Sequence, residues 1–226
     1  MFHPDELPMQ RGWVGRIDGE HVVQLAAQTL ESFFTGGGSA REHAVYPLDA
    51  VRLLAPVLHP PSVRLFEHEE SFAFANPAAI VGPGAAVSRP PRGGPMVVLP
   101  RLAAVVGADG TIAGFTILAE WRDRGRAAPK DRDFALGLGP VVVTADELVP
   151  DGLGVEVRVA GEERRNGSFD GFDWSRAHEL AVEGTVLRPG DLLGSPALAP
   201  VAIPAGSEVE VEVDRIGVLA QRLEGD

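Results

Sequence analysis

The chain has no cysteine in its 226 residues, which removes disulfide frameworks, thiolate nucleophiles and zinc–thiolate sites. Aromatics are few, with a single tyrosine, and basic clusters are missing. The formal net charge is -12, and no run of Lys and Arg gathers into a patch. That excludes nucleic acid as a partner, because phosphate binding needs clustered cations. No apolar run reaches membrane-spanning length, and the opening stretch MFHPDELPMQRGW has no basic-then-apolar signal pattern. A cytoplasmic protein with no membrane partner is the expectation. Internal repeats, phosphate loops and G-x-S-x-G elbows are absent too.

What is present points to β structure. Twenty-seven glycines and nineteen prolines imply many turns and short strands. With 45% hydrophobic residues, a sizeable core is available. VGRI and HVVQL flank Asp18-Gly19, a hairpin signal with the residues a tight turn requires. Gln28 to Phe34 reads as a short helix or a packed loop, and Gly36-Gly37-Gly38 breaks the chain after it. His59-Pro60-Pro61 is a stiff connector, so a small N-terminal β module is placed at residues 1–58 and the main body at 59–226. In that body, Val97 to Val106 and Gly114 to Leu118 are apolar segments joined by Ala108-Asp109-Gly110. Val155, Val157 and Val159 alternate with Glu156 and Arg158 up to a turn at Gly161-Glu162. Val209, Val211 and Val213 alternate with glutamates, which predicts a strand with one buried and one wet face. Asp173 as N-cap, an apolar face of Trp174, Ala177, Leu180 and Ala181, and Gly184 at the stop predict a helix over 174–183. The fold class is mainly β (α+β) with few short helices.

Five separated stretches carry a family resemblance. FANPAAIVGPG (74–84) and AGFTI (113–117) with Trp121 are the first two. KDRDF (130–134) with LGP (138–140) and VTADEL (143–148), then LRPGDLLGS (187–195), then EVEVDRIGVL (210–219), complete the order. Together they resemble the fumarylacetoacetate hydrolase (FAH) family from about Val51 onward. The resemblance implies a mixed β-roll core, a homodimer, and Mg, Mn or Ca held by an E-x-E pair and a later Asp. It also implies a small oxo-acid or diketo-acid substrate undergoing C–C bond hydrolysis, decarboxylation or isomerisation.

The spacing of that ligand set makes physical sense, since residues two apart on a strand share a face. Here the E-x-E positions align with Leu99 and Arg101 about Pro100, and the Asp with Glu120. A cation pointed into the site repels a divalent ion, so the metal is expected to be lost and no metal ligands are assigned. Arg101 and Glu120 are the first candidate catalytic residues, with Arg101 replacing the ion as a fixed cation. The competing reading has the two merely neutralising a vestigial pocket. Lys130 matches a family lysine near the substrate carboxylate, though it also reads as a solvated loop residue. His68, in the run EHEE, resembles part of an acid–base segment, against the alternative of an exposed acidic turn. Arg124, Ser195 and Leu99 are candidate substrate contacts. Two functions stay open: an enzyme with altered chemistry, or a catalytically inactive FAH-fold protein with a binding or structural role.

Overall fold

Eleven consecutive residues, Met96 to Val106, are all buried, and the strand they form is the spine of the molecule. The computed structural model describes residues 1–35 and 39–225. The break expected at Gly36-Gly37-Gly38 lies outside the described residues. Met96–Val106 pairs antiparallel with Ile112–Asp123, which pairs with Leu136–Thr144. Its other edge pairs with two short strands, Leu192–Gly194 and Val201–Ile203. Leu192–Gly194 leads on to the parallel strand Val63–His68 and, beyond it, the hairpin partner Ser71–Ala75. The resulting eight-stranded sheet is the larger of two that build the main body.

A continuous apolar run is required because both faces of this spine are covered. Val98, Leu102, Ala104 and Val106 point into one core cluster with Ile117, Trp121 and the valines of the second sheet. Ala103 and Val105 point the other way, with Leu118, Leu136 and Leu138. The second sheet runs in the order Glu162–Phe169, Leu153–Val159, Glu208–Val213, Gly217–Leu223, Ala86–Val87. Val209, Val211 and Val213 are buried and their glutamate neighbours lie outward, as the alternation predicts. Arg158 crosses the wet face and pairs with Glu156, Glu210 and Glu212 at 2.7, 2.7 and 2.8 Å.

The helix is Trp174–Val182, with Asp173 accepting from the Arg176 amide. Its Trp174 packs edge-on against Phe115, 5.1 Å between ring centroids. Leu30–Phe34 is helical, closed by a capping box in which Thr29 and Ser32 exchange bonds. The Asp18-Gly19 hairpin forms with Asp18 opposite His21. Three-stranded and two-stranded sheets are built from residues 2–53.

Two details differ from the sequence reading. The turn after Val159 uses Ala160 and Gly161, both at positive φ, so Glu162 already begins the next strand. That strand, Glu162–Phe169, reads EERRNGSF and carries no apolar alternation, because it is an edge with mostly exposed side chains. Mainly β is the class, and the large sheet curls into a half-barrel.

Candidate active site

Proline is rare inside a sheet because it cannot donate to the ladder. Pro100 is tolerated in the spine because neighbouring strands bond it on one side only. Val201–Ile203 pairs with residues 96–98 and Leu192–Gly194 with residues 103–105, which leaves a gap opposite 99–102. The segment 195–198 fills that gap: the Ser195 amide donates to Leu102 O and the Leu198 amide to Pro100 O. The candidate residues meet at this interruption.

Leu99 and Arg101 are two apart, so both project to one face, and Glu120 is the cross-strand partner of Leu99. Arg101 and Glu120 are both fully buried. Arg101 Nε donates to Glu120 Oε2 at 2.8 Å, and Arg101 Nη1 donates to Phe66 O and Ser195 O at 2.8 and 2.6 Å. Arg101 Nη2 faces Glu67 Oε1 at 3.7 Å. The second oxygen of Glu120 accepts from Arg122 Nε at 2.6 Å, with Arg132 Nη1 at 4.0 Å. Asp131 closes the cluster by accepting from Arg132 at 3.0 and 3.1 Å. That bond raises the Arg132 pKa above its ordinary value, and the charges of Asp131, Glu120 and Glu67 push in the same direction. Three guanidinium groups are thus balanced by three carboxylates.

The other candidates are placed apart from this centre or on its rim. Ser195 is buried and its hydroxyl is occupied, accepting from the Leu102 amide and donating to Pro196 O. Its carbonyl holds Arg101. Lys130 is exposed and pairs with Asp133 at 2.5 Å. Arg124 is exposed, with its amide bonded to Pro95 O. His68 is exposed, and its Nδ1 accepts from the Glu70 amide. Leu99 is nearly buried beside Glu120. Sequence reasoning missed Glu67, Arg122, Arg132 and Asp131 as members of the cluster, and did not see that two backbone carbonyls saturate Nη1. The carbonyls carry no sequence signal. The acidic run around Glu67 does, but nothing in it says which carboxylate reaches Arg101.

A half-open hollow of about 110 Å³ lies next to Ser195, on the far face of the spine, lined by Leu102, Phe169, Phe172, Trp174 and Leu198 among others. That is well below the ~300–1,000 Å³ of an ordinary ligand pocket. A larger hollow of about 570 Å³, lined by none of the cluster residues, lies beside Leu25, Gln28 and His43. A divalent cation does not fit the donors at the centre: Leu99 offers none, Arg101 brings positive charge, and Glu120 already serves two guanidinium groups. Among the described residues no other group of three or more His, Asp or Glu side chains is placed to hold an ion.

The profile of the fumarylacetoacetate (FAA) hydrolase C-terminal domain matches residues 47–224. The chain belongs to the fumarylacetoacetate hydrolase family. Among relatives, a mitochondrial oxaloacetate tautomerase of Homo sapiens is 27% identical over 250 residues, covering 91% of this chain and 77% of its own length. FAH-fold structures superpose over nearly the whole molecule. A 5-carboxymethyl-2-hydroxymuconate delta-isomerase from Mycobacterium smegmatis gives a TM-score of 0.78 at 22% identity, over 95% of this chain and 94% of that one. Maleylpyruvate hydrolase from Sphingobium sp. SYK-6, solved with manganese(II) and pyruvate, gives 0.76 at 19% identity, over 96% and 98%. Oxaloacetate tautomerases of Rattus norvegicus and Bacillus subtilis are also among the relatives.

Proposed function

We propose that this chain is a FAH-family protein for a small oxo-acid or diketo-acid that binds its ligand without a divalent metal and does not run metal-assisted bond cleavage. One observation carries the reading: a buried guanidinium, Arg101, stands on the strand face where the family resemblance puts a carboxylate pair, and Glu120 neutralises it at 2.8 Å. A positive charge is kept at that position, but it is attached to the chain. It can attract a carboxylate or an enolate oxygen, and its planar fork fixes direction better than a lysine would. What it cannot supply is the open coordination position through which a metal ion activates water.

A second reading is favoured by the identity of the relatives. Keto–enol tautomerisation and double-bond isomerisation need an oxyanion stabiliser and a proton carrier, with no activated water. A guanidinium is a sufficient stabiliser, so isomerase chemistry is the turnover this site would retain. The experiment is one preparation in chelator-treated buffer, examined for pyruvate binding by calorimetry and for enol-to-keto conversion of oxaloacetate by ultraviolet absorbance. Pyruvate binding with no acceleration supports the binding protein. Acceleration that survives the chelator supports the isomerase. Acceleration that appears only with added Mg²⁺ or Mn²⁺ overturns both.

A further inference from the structure

The donors of Arg101 can be counted. A guanidinium has five N–H bonds. Nε uses its one on Glu120, and Nη1 directs its two at Phe66 O and Ser195 O. Nη2 keeps two, and the group facing it is the Glu67 carboxylate at 3.7 Å, an ion pair without a close hydrogen bond. Glu67 differs from every other partner of Arg101. Its side chain is 60% exposed, whereas Glu120 is at 0%. Its charge also helps to raise the pKa of Arg132, which reaches the same centre through Glu120 at 4.0 Å and is itself 24% exposed.

The charges around this mouth sum in an informative way. Arg101, Arg122 and Arg132 oppose Glu120, Asp131 and Glu67. Glu120 and Asp131 are held by close bonds to guanidinium groups, at 2.6 to 3.1 Å. Glu67 is the loose member. If its side chain rotates into water, two N–H bonds of Nη2 and the edge of Arg132 are left facing the opening with one uncompensated positive charge.

We propose that Glu67 is a built-in anion that occupies this mouth, and that a small carboxylate, such as the carboxylate end of an oxo-acid, binds by taking its place on Arg101 Nη2 and Arg132. The movement asked of the protein is small. The backbone on either side of Glu67 is fixed, because Phe66 O holds Arg101 and Phe66 and His68 pair with Phe72 and Ser71, with Glu67 at the bulge between them. The turn beyond is pinned on its other side, where Glu69 Oε1 accepts from the Asp173 amide. Only side-chain torsions of one exposed residue change. The covering carboxylate explains how a fully buried arginine and a ligand site occupy one place: burial of Nη2 is conditional on Glu67. This proposal rests on the oxo-acid reading above and adds to it a gate.

The test compares the unaltered protein with Glu67→Gln and with the double variant Glu67→Gln/Arg132→Met, using pyruvate, acetate and inorganic phosphate as probes in low-salt calorimetry. Both substituted side chains reach solvent, so folding is expected to survive and is checked by near-ultraviolet circular dichroism. Removing a competing surface-type ion pair worth up to about 1 kcal/mol should tighten pyruvate and acetate by up to about fivefold in Glu67→Gln, and the double variant should lose that gain. Equal affinities in the unaltered protein and Glu67→Gln overturn the gate while leaving oxo-acid binding intact. Absence of binding in both overturns the gate together with the function it rests on. Phosphate binding as tightly as pyruvate in Glu67→Gln overturns the assignment of a carboxylate ligand.

Discussion

Replacing Arg101 by methionine, which keeps an unbranched chain as far as the Nε position without its charge, should destabilise the fold severely. The change removes one partner of a buried ion pair and leaves Glu120 at 0% exposure. Breaking such a pair costs about 3–5 kcal/mol, and each buried carbonyl left without a donor adds about 1–3 kcal/mol. Two carbonyls are affected, Phe66 O and Ser195 O. Against this, Glu120 keeps Arg122 at 2.6 Å, so its charge is not stranded. At least about 3–5 kcal/mol is the expectation, and more if water fails to reach the carbonyls. Urea unfolding followed by tryptophan emission reads it, because Trp121 is fully buried and its indole N–H donates to Gln221. The double variant Arg101→Met/Glu120→Leu removes both charges and should recover part of the loss, so the two changes should be strongly non-additive. A loss below about 1 kcal/mol in Arg101→Met, or simple additivity in the double variant, would refute the view of a tightly coupled buried centre.

Two further outcomes follow from the geometry. Leu99→Glu/Arg101→Glu/Glu120→Asp puts three carboxylates on one sheet face and should create Mn²⁺ binding detectable by electron paramagnetic resonance, while the unaltered chain shows none; the absence of binding in the triple variant would count against Leu99, Arg101 and Glu120 as neighbours on one face. Gly137→Ala would set a Cβ 2.2 Å from Gln221 Oε1, displacing the acceptor of the Trp121 indole. A loss of about 1–3 kcal/mol with a shifted tryptophan emission is expected, and unchanged emission would contradict that packing.

Elements with a local signature were legible in the sequence. The 174–182 helix announces itself through a capping side chain and a 3.6-residue apolar face, both decided within ten residues. The strand Glu208–Val213 does so by strict alternation. Glu162–Phe169 was invisible because an exposed edge strand needs backbone partners and no apolar face. The site divides the same way. That Leu99, Arg101 and Glu120 share a face follows from a two-residue period and from resemblance. That Phe66 and Ser195 present carbonyls to Arg101, across 35 and 94 residues of chain, follows from sheet order alone, and no local pattern encodes it.

Arg101 touches four parts of the chain that are far apart in sequence: its own strand, Glu120, the carbonyl of Phe66 and the carbonyl of Ser195. In that respect it works as a cross-link. A bound ion joining the same segments would come and go with its concentration, and the fold would loosen whenever supply fell. A guanidinium on the backbone cannot dissociate and cannot be chelated. Its effective concentration is set by the chain, so the junction of these segments is decoupled from the metal content of the surroundings.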